Sequence, residues 1–171
     1  PVLVGTNMIL SKKEERNSKK LSENLSNMKN LYIDFDGVIV NTIEISYAMA
    51  ERQGLEKNYE NYLQFFQTLN WEEVFEKAKP INDAFNAIKR IKDTGKYNVA
   101  ILTHVTSLHE IEAKVKYIRK YLKNITIISV PKSLSKTEML DARDAILVDD
   151  YVANLDEWTK SGGRSIKFDL D

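Results

Sequence analysis

Two pairs of aspartates stand directly behind apolar runs. Asp34 and Asp36, in Asp34-Phe35-Asp36-Gly37, follow Leu31-Tyr32-Ile33, and Asp149-Asp150 follow Ala145-Ile146-Leu147-Val148. Side chains two apart on an extended segment point the same way. Carboxylates crowded at the end of a buried strand repel one another unless a cation or a proton intervenes. Gly37 allows the backbone to turn sharply just beyond the first pair. The bland reading is that each cluster caps the following helix, since Asp is favoured at N-caps. Two clusters, each ending a strand, point instead to chemistry. If the strands run parallel, their carboxyl ends share one edge and all four carboxylates converge there. Hard oxygens in that number suit Mg²⁺, which takes one or two carboxylates plus substrate phosphate and keeps several waters.

Other residues fall at the same edge. Thr103 closes the run Ala100-Ile101-Leu102-Thr103-His104, and its hydroxyl is suited to bond a phosphate oxygen. Lys132 and Lys136 follow Ile125-Thr126-Ile127-Ile128-Ser129-Val130, and either can offer an ammonium. Lys136 is preferred because it stands nearer the final Asp pair. His104 adjoins Thr103 and is a candidate substrate contact, whereas His109 reads as a surface residue. Four successive strand ends thus supply a carboxylate pair, a hydroxyl, an ammonium and a second carboxylate pair. Phosphoryl transfer needs such a set: a nucleophile, an acid/base, charge neutralisation and a metal.

The elements that must hold these groups read as alternating strands and helices. The four short apolar runs are buried strands, and Ser165-Ile166-Lys167-Phe168 is a weaker fifth at an edge. Ala84, Phe85, Ile88 and Ile91 lie on one face of a helix that stops near Gly95. Leu108, Ile111, Val115, Ile118 and Leu122 form the apolar face of another, opened by Ser107-x-x-Glu110 as a capping box. Ser135-x-x-Glu138 opens a shorter helix, and residues 153–160 form the last, ended by Gly162-Gly163. Alternation of this kind implies a parallel sheet with right-handed crossovers in a three-layer α/β sandwich. Residues 41–79 break the rhythm, with about two helices' worth of pattern, no strand, and the aromatics Tyr47, Tyr59, Tyr62, Phe65, Phe66, Trp71 and Phe75. A helical excursion there would sit over the carboxyl end of the sheet, where open α/β folds bind ligands.

Composition narrows the field. The 171 residues allow one domain, and 43% hydrophobic with 29% charged residues is ordinary for a globular protein. A formal net charge of zero gives no support to nucleic-acid binding. With no cysteine there is neither a disulfide framework nor a thiolate zinc site, and a reducing cytosol suits the chain. No apolar run reaches the ~20 residues of a membrane span. The opening PVLVGTNMIL lacks a preceding basic residue and a small-residue cleavage site, so it does not read as a cleaved leader. Residues 1–29 read as a basic extension, with Lys12, Lys13, Arg16, Lys19, Lys20 and Lys29 outnumbering Glu14, Glu15 and Glu23. Leu21, Leu25 and Met28 permit a weakly amphipathic helix, but a solvated, poorly ordered arm is the favoured expectation. The folded unit is expected over 30–171, with the excursion at about 41–79.

The ordered set Asp34-x-Asp36-Gly37-Val38, Leu102-Thr103, a lysine, and Leu147-Val148-Asp149-Asp150 resembles the four motifs of the haloacid dehalogenase (HAD) superfamily. The resemblance spans residues 31–168. It implies a Rossmann-like core with strand order 5-4-1-2-3 and a small helical cap inserted after the first strand. By resemblance Asp34 is the nucleophile that forms an aspartyl-phosphate, and Asp36 protonates the leaving group and then activates water. Thr103 and the lysine would hold the phosphoryl group. Mg²⁺ would be held by Asp34, the backbone carbonyl of Asp36, and the Asp149-Asp150 pair, with Asp150 the direct ligand. An Asp two residues after the nucleophile favours a phosphatase over a dehalogenase. The compact size, helical cap and Ile146-Leu147-Val148-Asp149-Asp150-Tyr151 ending are similar to the 5′(3′)-deoxyribonucleotidase branch. Its substrates would be small phosphorylated molecules such as nucleoside monophosphates, with Trp71 first and Phe66 second as base-stacking candidates. The alternatives are a non-catalytic phosphate- or nucleotide-binding or adaptor module on the same fold, and a phosphotransferase.

Overall fold

The computed structural model describes residues 11–170. The reading of PVLVGTNMIL as no cleaved leader lies outside the described residues. Thirteen elements follow: α1 (Lys12–Asn27), β1 (Lys29–Ile33), α2 (Thr42–Arg52), α3 (Tyr59–Thr68), α4 (Trp71–Lys77), α5 (Ala84–Asp93), β2 (Tyr97–Val105), α6 (Leu108–Tyr121), β3 (Thr126–Pro131), α7 (Lys136–Met139), β4 (Ile146–Asp149), α8 (Val152–Lys160) and β5 (Arg164–Lys167).

The five strands form one parallel sheet in the order β3-β2-β1-β4-β5. Read from the opposite edge, this is the expected order 5-4-1-2-3. β1 lies at the centre, with Leu31 opposite Val99 on β2 and Ile146 on β4. Alternate residues of each strand feed opposite faces, as the period of two requires. Leu31, Ile33, Val99 and Ile101 share a core with Phe85 and Ile88 of α5, Ile118 of α6, and the α3 and α4 aromatics. Tyr32, Ala100, Leu102 and Leu147 pack on the other side with Leu155 and Trp158 of α8. Both faces of the sheet are covered, which is why its inner strands read as unbroken apolar runs.

The excursion contains three helices where the pattern suggests about two. Asn58 and Asn70 cap α3 and α4 by accepting from the backbone N–H groups of Asn61 (2.9 Å) and Glu73 (3.4 Å). Trp71, Val74 and Phe75 of α4 fall on one helical face and are buried. The two ends of the insertion are stitched at its base. Asn41 N–H donates to Lys79 O, Lys79 N–H donates to Asn41 Oδ1, and Ile81 N–H donates to Ile39 O. The cap therefore emerges directly above the end of β1.

Two local expectations are corrected. Lys12–Asn27 is helical rather than a poorly ordered arm. Ser11 and Glu14 supply a capping box overlooked in the Lys-rich run: Ser11 N–H donates to Glu14 Oε2 (2.7 Å) and Glu14 N–H to Ser11 Oγ (3.3 Å). The second correction concerns α6. Its buried face is Glu110, Ala113, Lys114, Tyr117 and Ile118, while Leu108, at the head of the expected stripe, is 79% exposed. The helix is turned so that two charged residues face inward. Ser107 does cap α6 by accepting from Glu110 N–H (3.1 Å), but the Glu110 carboxylate binds Thr106 N–H and Oγ1 instead of closing the box.

Candidate active site

The carboxyl ends of β1, β2 and β4 bring the aspartates, Thr103 and Lys136 together. Asp34 continues β1, and its N–H donates to Val148 O on the neighbouring strand (2.9 Å). Asp149 ends β4 and is fully buried. Lys136, at the start of α7, lies buried between them: Nζ donates to Asp34 Oδ1 at 2.7 Å and to Asp149 Oδ2 at 2.6 Å. Glu138 helps place this lysine by accepting from Ser135 N–H (2.6 Å). Asp149 is held further by Tyr151 N–H (2.8 Å) and Asn154 Nδ2 (2.9 Å). Lys132, the alternative lysine, is exposed and lines the cavity mouth without touching either aspartate.

Charge at this point is unbalanced in one direction. Carboxylate oxygens of Asp34, Asp149 and Asp150 lie within 4.8 Å of one another, against the single Lys136 ammonium. Burial raises the Asp34 carboxyl to about 7, with Lys136 opposing and Asp149 and Asp36 reinforcing the rise. Asp150, half-buried, is also raised, first by burial and then by Asp149. Burial disfavours the Lys136 ammonium, but its two carboxylate partners outweigh this and its pKa is raised. Three hard carboxylates with a deficit of positive charge fit a small divalent cation. Close to them, Gly37 adopts φ 77°, and a Cβ there would lie 2.6 Å from Asp150 Oδ2. The turn and the approach of Asp150 both require glycine.

Asp36 belongs to a second cluster. Its Oδ1 accepts from Thr42 Oγ1 (2.6 Å), and its Oδ2 from Thr103 Oγ1 (3.1 Å) and Lys114 Nζ (2.6 Å). Lys114 is 1% exposed and also bonds Thr103 Oγ1 (3.0 Å), His104 O (2.9 Å) and Glu110 Oε1 (2.7 Å). Burial opposes its charge, yet Asp36 and Glu110 together raise its pKa. The sequence reading missed Lys114. The available signal was the i, i+4 pair Glu110–Lys114 beside Tyr117 and Ile118, which reads as a solvated charge pair until the helix is seen turned inward. Thr42 and Asn154 were missed as well.

His104 lines the cavity, and its Nε2–H donates to Leu134 O at 3.0 Å. Burial, then Lys136 and Lys132, lower its pKa to about 4, so the ring is neutral at pH 7 and its proton sits on the nitrogen facing the carbonyl. Its structural contact ties the end of β2 to the loop before α7.

A cavity of about 490 Å³ opens above Asp34 and Asp36. Its far wall is Tyr47, Tyr59, Tyr62 and Phe66 from the cap. Tyr47 and Tyr59 are 47% and 71% exposed. The Tyr62 hydroxyl is buried and has no hydrogen-bond partner among the described residues. Trp71 also borders the cavity but is only 4% exposed. Its ring packs on Phe66 and Phe75, and its Nε1–H donates to Phe66 O (3.2 Å). Little of Trp71 is left for a ligand, because the short α4 turns it inward as a core residue.

No protein-family model and no curated protein matches the sequence. Solved structures do resemble the fold. A phosphonoacetaldehyde hydrolase-like protein from Oleispira antarctica has 9% identity and a TM-score of 0.53, over 85% of this chain and 74% of that one. A haloacid dehalogenase-like family hydrolase from Xanthomonas campestris has 11% identity and a TM-score of 0.53, over 85% and 84%. The HAD-hydrolase YfnB from Bacillus subtilis, solved bound to magnesium, has 12% identity and a TM-score of 0.51, over 81% and 86%. Likeness at this identity speaks to architecture: the chain has the HAD hydrolase fold.

Proposed function

We propose that this chain, built on the HAD hydrolase fold, is a phosphomonoester hydrolase that works through an aspartyl-phosphate on Asp34. One observation carries the reading. A buried aspartate at the end of the central strand shares an ammonium with a second buried aspartate, while Asp36, two residues on, is held apart by its own donors. That is the division of labour expected between a nucleophile and an acid/base. Asp34 attacks phosphorus as the bond to the leaving oxygen breaks. Asp36 delivers a proton to that oxygen, then takes one from the water that attacks the phospho-aspartate, releasing inorganic phosphate and restoring Asp34. Thr103 and Lys136 hold phosphoryl oxygens. Asp34, Asp150 and the Asp36 backbone carbonyl would hold Mg²⁺, with Asp149 orienting them. When bound, the ion neutralises charge between Asp34 and the phosphate. Turnover of aryl and nucleoside phosphates by the wild type, abolished by Asp34→Asn and by chelation, is the expected result. Turnover indifferent to chelation would sink the mechanism.

The substrate we infer is a nucleoside monophosphate. The support is the aromatic wall of Tyr47, Tyr59, Tyr62 and Phe66 facing the carboxylates across a cavity of ligand size. A base stacked on one such ring gains ~1–3 kcal/mol. Tyr59→Ala is expected to lower kcat/KM for nucleotides about ten- to a hundredfold while sparing glycerol phosphate. Equal losses on both would remove the nucleotidase branch and leave the phosphatase.

A further inference from the structure

Lys114 forms no contact with the Asp34–Lys136–Asp149 group, and the reaction as described does not use it. Its burial needs a reason, because an ammonium is costly to remove from water. Glu110 supplies part of it, one turn earlier on α6 at 2.7 Å. A structural ion pair would stop there. Instead Nζ reaches across to Asp36 Oδ2 at 2.6 Å, to the Thr103 hydroxyl at 3.0 Å and to His104 O at 2.9 Å. Two rings face the ammonium, with Nζ 5.7 Å from the centre of Phe35 and 5.6 Å from that of Trp71. The ammonium therefore has one fixed position.

We propose that Lys114 is a positioning residue for Asp36, fixing the direction in which its carboxylate faces. The inference rests on the hydrolase reading above. Oδ2 is occupied as an acceptor by the ammonium at 2.6 Å and by the Thr103 hydroxyl at 3.1 Å. Oδ1 faces only the Thr42 hydroxyl, which rotates to accept as readily as it donates. Oδ1, beside the cavity-lining Thr42, is thereby left as the oxygen that serves the departing group. In the transfer, the Oδ1–H bond breaks and its proton joins the departing oxygen. That oxygen keeps the electron pair of the broken P–O bond. Lys114 itself exchanges no proton. Trp71, placed beside Nζ, acquires a role as a wall that keeps water from the ammonium.

Help from an acid matters for a poor leaving group and little for a good one, so the leaving group is the readout. The wild type, Lys114→Met, Asp36→Asn and the double variant D36N/K114M are assayed on glycerol phosphate and on p-nitrophenyl phosphate. Lys114→Met is expected to lose at least tenfold more kcat on glycerol phosphate than on p-nitrophenyl phosphate, and D36N/K114M is expected to be no slower than D36N. Since K114M leaves the buried Glu110 uncompensated, E110Q/K114M, which removes both charges, is assayed in parallel and should show the same substrate split. Equal losses on both substrates, or a further loss when K114M is added to D36N, would overturn the proposal while leaving the hydrolase reading intact. A wild type that hydrolyses neither substrate would overturn the hydrolase reading and this inference with it.

Discussion

Burial raises Asp34 from the ordinary aspartate range to about 7, so in the metal-free protein it favours the folded state most when protonated. Its stabilising contribution is fully present below about 4 and is lost as pH rises through about 7. Mg²⁺ binds the ionised form and competes with that proton. The rise in Tm on adding Mg²⁺ should therefore be larger at pH ~8 than at pH ~5.5. Asp34→Asn should flatten the difference, and thermal melts across pH check it. His104 has the opposite sign. Burial and then Lys136 lower its pKa to about 4, so its contribution is present above about 6.5 and lost as pH falls through about 4. His104→Gln, compared with the wild type, should show a shallower fall in Tm across that window. Lys136→Met should be the most damaging of the single changes at the site. Removing one partner from a buried ion pair costs ~3–5 kcal/mol, here because Asp34 and Asp149 would face each other without the ammonium. Chemical denaturation measures the loss, and saturating Mg²⁺ should recover part of it.

At the scale of elements, legibility in the sequence followed how local the determinants are. The strands were readable because both faces of each inner strand are covered, which leaves continuous apolar runs in the sequence. The Asn41-to-Lys79 seam was not, since Asn41 Oδ1 finds its donor only once the insertion has folded back. The aspartates, Thr103 and Lys136 were legible from their places after strands. Lys114 was hidden because its partners Asp36 and Thr103 come from the loop after β1 and from β2, and nothing within α6 announces them. Trp71 borders the cavity as its size suggested, but that most of its ring is buried was not readable, since only the packing of α4 turns it inward. The turn after α8 combines both kinds of signal. Gly162-Gly163 ends the helix as its composition suggests, but the reason for Gly163 is tertiary. A Cβ there would lie 2.3 Å from the Trp158 ring and 2.8 Å from Ala142 O. Trp158 is fully buried, edge-on to Tyr32, with Nε1–H bonded to Ala145 O. Gly163→Ala should cost ~1–3 kcal/mol by overpacking, read as a lower denaturation midpoint with an unchanged slope.

Among the described residues, the sheet, the cap and the candidate site lie within residues 29–170. Side chains from Ser11 to Glu23 are exposed along α1, and a capping box closes its first turn. A chain beginning at Lys29 should keep the Tm and the turnover of the full chain, with calorimetry and phosphate release as the two measurements. A lowered kcat with an unchanged Tm would give α1 a part in the reaction.

The central position of β1 also sets an order of events during synthesis. Asp34 leaves the ribosome before the strand that flanks it, β4, which emerges only after the cap, α5, β2, α6, β3 and α7. Until Ile146 pairs with Leu31, one flank of the central strand has its backbone groups open, and Leu147 has no partner across from Tyr32. Such an edge is a template for pairing with another chain. Until β4 pairs with β1, the candidate site lacks Asp149 and the open flank of β1 is exposed to pairing with another chain; both end together when β4 arrives.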